Sequence, residues 1–232
     1  MAARVSGFFD TSNRVELAAT IIMSLAAIFT AWAAFQSAKW SGEQAIAFAE
    51  AGAARTESTR FDTRAGQMTS IDVATFTNWL HALNEDIASG AVDPTGQITY
   101  EPTPGTLSGF ISARFRDEFR PAFDAWTEAF LADSANAPPT PFSMEEYVLA
   151  DRLRAEELVV EAEEHVARAR QNNQNSDNYV LTVVAFALVL FFSGVSSKLE
   201  SPKNSLIAII VGSVVFVGGT VVILILPKIM PF

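Results

Sequence analysis

Three long apolar runs decide what this chain can become. Val15–Phe35 carries one charge, Glu16 at its edge, whereas Tyr179–Val195 and Leu206–Leu226 carry none. A helix needs about 20 predominantly apolar residues to cross a hydrocarbon core, roughly 17 at the short end. All three runs qualify. Mean hydropathy of +0.23 over 232 residues, half of them apolar, fits a membrane protein better than a soluble domain. The first run is longer than a signal-peptide apolar region, so it is read as an uncleaved anchor despite the Ala31-Trp32-Ala33 stretch near its end.

The runs divide the chain into a tail (1–14), a first span (15–35), a long polar insert (36–178), a second span (179–195), a short turn (196–205), a third span (206–226) and a C-terminal tail (227–232). The insert holds 23 Asp and Glu against 11 Lys and Arg, and the remainder holds 3 against 5. An acidic insert argues against nucleic acid or anionic lipid surfaces as its partner. Lys198 and Lys203 in the short turn, with Arg4 and Arg14 before the first span, place those segments in the cytoplasm by the positive-inside rule. The insert is then extracytoplasmic, periplasmic in a bacterium. Trp32 and Trp40 are the expected interface anchors at the outer end of the first span.

Asn13 and Glu16 have capping-box spacing for the start of the first helix. Nothing breaks that helix after Phe35: no proline occurs before Pro94, and the segment is rich in alanine. It is expected to leave the membrane and run to about Gly66 or beyond. Steps of four and three then trace a seam of small residues: Ala38, Gly42, Ala45, Ala49, Gly52, Thr56, Thr59, Thr63 and Gly66. Coiled-coil seams usually carry Leu, Ile or Val. Small residues instead allow close approach of backbones, either to a bulky mate on the returning helix (Leu149, Leu153, Leu158, Val160) or to copies of the same chain. In the first span Thr20, Ser24, Ala27 and Ala31 share a small, weakly polar face suited to tight packing or to lining a narrow pore.

A second helical stretch is expected over Ile71–Ser89, ended by Gly90. A turn-rich loop follows over 91–106, with one short strand at Gln97–Tyr100. Leu107–Ala132 reads as a single helix rich in Phe, and 134–142 as a Pro-rich connector. Ser143 to Glu146 reads as the cap of the returning helix, and the Asn/Gln run 171–178 as a break before the second span. The whole is an all-α membrane protein: three transmembrane helices, a long antiparallel helical stalk with coiled-coil character, and a small helical extramembrane head.

Chemistry is sparse. There is no cysteine, phosphate-binding glycine loop, zinc-protease motif or nucleophile elbow. No catalytic, cofactor-binding or metal-binding residue is assigned. His81–Glu85 and Glu161–His165 have metal-ligand spacing, but each pair reads as a solvated helix face. Glu43, Glu50 and Glu57, spaced by seven, form a candidate ion-attracting face, with Arg60 and Arg64 as the expected neutralising partners. No ionisable residue lies within the spans beyond their edges, which argues against an active transporter.

The layout of one span ending in AWAAFQSAKW, a helical insert and two closely spaced C-terminal spans resembles families of uncharacterised bacterial three-span membrane proteins. The shared signature is Trp32, Gln36 and Lys39. The resemblance implies a bacterial inner-membrane home and brings no activity or site residue. The expectation is a non-enzymatic homo-oligomer in the bilayer, a passive cation-favouring pore with an acidic outer vestibule. The alternative is an extracytoplasmic sensor or accessory subunit that binds another membrane protein.

Overall fold

The computed structural model describes residues 2–93 and 100–230, with side chains from residue 16 onward. Among these residues all regular structure is helical: α1 (Ala2–Ala88), α2 (Leu107–Ser112), α3 (Arg120–Ala132), a 3₁₀ turn at Pro141–Ser143, α4 (Ala150–Ser196) and α5 (Pro202–Ile225). α1, α4 and α5 each contain a stretch long and apolar enough to cross a membrane. The chain divides into two compact units, Met1–Ala51 with Glu163–Phe232, and Gly52–Ala162. The expected loop strand falls largely on 94–99, outside the described residues.

In the first unit the apolar parts of α1, α4 and α5 enclose Ala26, Ala33, Tyr179, Phe186, Val189 and Ile223. Phe29 lies 5.5 Å from the Phe186 ring and 5.6 Å from Phe216. Gly219 admits this packing, since a Cβ there would lie 3.1 Å from the Phe186 ring. At one end of α5, Ser205 Oγ lies 3.1 Å from Ser196 Oγ and donates to the Ser196 carbonyl at 2.9 Å. Beyond the apolar core the same unit changes character. Ala47 and Ala51 of α1 and Ala169, Asn172, Asn175 and Ser176 of α4 are buried. Ser176 Oγ lies 3.0 Å from Ser37 Oγ and 2.9 Å from Ser41 Oγ.

The Asn/Gln run does not break α4. Gln171 donates to Asn175, Asn173 to Asp177 and Gln174 to Asn178, each one helical turn on. Side-chain amides that would otherwise compete for the backbone are occupied along the helix, which removes their usual penalty.

In the second unit α1 packs Ala54 and Phe61 with Leu158 and Ala162, and Ser58 Oγ donates to the Ala155 carbonyl at 2.9 Å. Further along, Phe76 and Trp79 of α1 join Phe115, Phe119, Phe123 and Trp126 in an aromatic core, flanked by Tyr100, Phe142 and Tyr147. Most of these rings meet edge to face, for example Trp79 and Phe123 at 4.8 Å, the arrangement that ring quadrupoles favour.

α1 does not pause near Gly66; it runs to Ala88 and ends in a Schellman motif. Gly90, at φ +75°, donates to Ile87 O, and Ala91 donates to Asp86 O. At the other end α1 is already helical at Asn13, so the capping-box position does not open the helix. The expected helix Leu107–Ala132 is two helices. Pro121 has no N–H to give to a continuing helix and sits in the first turn of α3. The returning helix starts at Ala150, not after Ser143. Its first N–H donates to Glu118 Oε1 at 3.1 Å, so the cap comes from elsewhere in the chain.

Candidate functional site

The small-residue seam lies on the face of α1 opposite to the one that packs. All nine of its residues, Ala38, Gly42, Ala45, Ala49, Gly52, Thr56, Thr59, Thr63 and Gly66, are exposed. A Cβ added at Gly42, Gly52 or Gly66 would meet nothing within 4 Å. The buried stripe runs through Ala47, Ala51, Ala54, Ser58 and Ala65. It is offset from the expected seam by two residues, about 200° around a helix. Two small stripes therefore lie on opposite sides of α1, and within the chain it is the other one that meets α4. Of the four expected mates, Leu149 and Leu158 are buried on this inner side, whereas Leu153 and Val160 are exposed.

The outer face has a consistent chemistry. In the first unit Thr20, Ser24, Ala27 and Ala31 are exposed as well. Thr20 and Ser24 donate to the carbonyls of Glu16 and Thr20. In the second unit Thr56, Thr59 and Thr63 bond to the carbonyls four residues back. Each hydroxyl donor is spent on its own helix, which leaves a smooth surface of methyl and methylene groups.

The glutamate ladder lies on the edge between the two stripes, the position that makes interhelical ion pairs in coiled coils. Its middle rung is engaged: Glu50 Oε2 lies 2.8 Å from His165 Nδ1 and 3.5 Å from Arg168. His165 is therefore a largely buried partner of α1 and not a solvated residue. Glu43, Glu57 and His81 are exposed. Arg64, expected beside Glu57, forms a two-pronged pair with Asp151. Its two hydrogen bonds hold the Asp151 carboxyl below the ordinary range.

Two constellations escaped the reading of the sequence. In the second unit Asp72, 2% exposed, accepts from Arg116 at 2.7 Å and from the Tyr147 hydroxyl at 3.0 Å. Burial pushes its carboxyl up, against the pull of those two donors. Arg116 also grips Glu118, the residue that caps α4. The signal available in the sequence was Asp72 itself, a carboxylate on the extension of the inner stripe toward Phe76 and Trp79. In the first unit Gln36, fully buried, donates to the Ile229 carbonyl and accepts from its N–H, both at 3.0 Å. Trp40 Nε1 and the Tyr179 hydroxyl both donate to the Pro227 carbonyl, at 3.2 and 3.0 Å. Trp40 is thus tied to the C-terminal segment, while Trp32 packs against the core of the spans.

Among the described residues no three His, Asp or Glu side chains converge as a metal site. Comparison of the chain with family models, curated proteins and solved structures yields no match. The site therefore rests on its own geometry: an outer face of α1, an ion-paired edge, and a polar clamp on the C-terminal segment.

Proposed function

We propose that the chain is a non-enzymatic integral membrane protein that assembles with copies of itself along the outer face of α1. The supporting observation is the small face of the first unit, Thr20 to Ala49, which none of the described residues covers and which carries no charge on its line. Lipid tails suit its apolar half. About three turns of Ala and Gly beyond the expected end of the span, where a solvated helix normally carries Lys or Glu, suit a second protein surface better. Small-xxx-small faces pack against one another in membranes because they let backbones come close. The insert, with α1 and α4 as an antiparallel stalk, stands on the extracytoplasmic side, and the tail 1–14 and turn 196–205 on the cytoplasmic side.

The finer reading is a passive, cation-favouring path around the assembly axis, with Thr20 and Ser24 in its wall and Glu43 in its outer mouth. Purified protein in planar bilayers tests it: cation-selective conductance that falls on Glu43→Gln supports a pore, and silent bilayers across voltage and pH remove it. The second reading is an accessory subunit for another membrane protein. It is favoured by the engagement of Glu50 with His165 and Arg168, which takes the middle rung out of an open ladder. A single copy co-purifying with a stoichiometric partner in mild detergent would select it.

A further inference from the structure

We infer that Gln36, Trp40 and Tyr179 form a latch that holds the C-terminal strap by its main chain alone, and that this latch fixes the third span in the bundle. All four bonds end on backbone atoms of Pro227 and Ile229. Gln36 pairs with both the N–H and the C=O of Ile229, as a neighbouring strand would. At neutral pH, where free carboxyls are ionised and only accept, a primary amide is the side chain that supplies a donor and an acceptor with that spacing. Gln36 and Tyr179 are both fully buried, so these bonds have little competition from solvent.

α5 needs such a device. It is apolar on every side, and in lipid no hydrophobic force selects the rotation or depth of such a helix. Its fit to α4 runs through Gly212, which faces Phe192, and Gly219, which faces Phe186. Phe216 and Ile223 add ring and side-chain packing along its length. Hydrogen bonds occur at both ends of the helix, Ser205 with Ser196 at one and the strap with the latch at the other. Gln36 and Tyr179 also begin the polar side of the first two spans. The strap therefore lies on the same side of the membrane as the insert.

The latch stands independently of self-assembly and is tested by amide hydrogen exchange of the full chain in nanodiscs. Protection of the Ile229 amide is expected to fall roughly tenfold in Gln36→Leu, the loss of about one buried hydrogen bond, and less in Tyr179→Phe. Ile229→Ala is expected to lower protection less than Gln36→Leu, because all the latch's hydrogen bonds end on backbone atoms. Ile229→Pro removes the donor without altering the latch and is read at the Leu226 amide, which bonds to the Val222 carbonyl; its protection should fall even if Gln36→Leu fails to fold. Unchanged protection in Gln36→Leu would overturn the inference. So would a strap released as fully by Ile229→Ala as by Ile229→Pro.

Discussion

The two units use opposite means to join α1 to its neighbours. In the second, Phe76, Trp79, Phe115, Phe119, Phe123 and Trp126 build a core from large rings. In the first, beyond the spans, Ala47, Ala51, Ala169 and Asn175 are buried, and Ser37 and Ser41 lie against Ser176. A ring core gains from area, and burying one Phe or Trp contributes far more than burying an alanine methyl at about 25 cal/mol per Å². An Ala/Ser seam gains little area; its fit depends on close approach and on hydroxyls reaching a neighbouring backbone. The aromatic core should therefore be sensitive to losing volume and the small seam to gaining it.

The comparison breaks first in the aromatic core. Phe119→Ala, at a position with no exposure, should cost about 3–5 kcal/mol, read as a lower unfolding midpoint of the second unit. Arg116→Met should cost a similar amount, roughly 3–5 kcal/mol, by leaving the Asp72 carboxylate buried without its ion partner. A drop well under 1 kcal/mol for either would mean that the rings and the Asp72 network are not what holds this unit.

The small seam sharpens the contrast in the opposite direction. Ala51→Leu should destabilise by about 1–3 kcal/mol through overpacking, whereas Gly52→Leu, one residue on and facing open space, should leave the fold of the single chain intact. If both substitutions unfold the chain equally, the two stripes are not distinct. Glu50→Gln should have the smallest effect, about 0.5 kcal/mol, as expected for a half-exposed ion pair.

The pH response separates the carboxyls of the second unit. Hydrogen bonds from the Ser108 hydroxyl and amide lower Asp86, and Arg64 lowers Asp151. Groups with a lowered folded pKa stabilise above their unfolded value, near 3.8, and lose that contribution as the pH falls through the folded value. Burial raises Asp72 and Asp124, so their contribution has the opposite sign, present below about 3.8 and lost as the pH rises through their folded values. Acid titration of the unfolding midpoint should show a shallower low-pH loss in Asp86→Asn than in the parent chain.

The helices and spans were legible because apolar run length and alanine richness are local properties. So was the end of α1 at Gly90. The start of α4 was not, since its cap, Glu118, comes from 32 residues away. The face of α1 that packs was misread because Ala and Gly occupy both stripes, so residue size alone does not choose between them. Continuation does choose: the inner stripe leads into Phe61, Phe76 and Trp79, and the outer one into threonine and glycine. Gln36 stood out only within a loose signature, and its partner is the backbone of Ile229, which no side-chain pattern reveals.

The central claim, that the outer face of α1 is where copies meet, is open to one direct measurement. The native chain has no cysteine, so single cysteines can be placed along residues 38–52 in membranes and oxidised. Disulfide-linked dimers should peak at Ala38, Gly42, Ala45, Ala49 and Gly52, with minima at Ala47 and Ala51. Cross-linking absent at every outer position, or strongest at the inner ones, would contradict it.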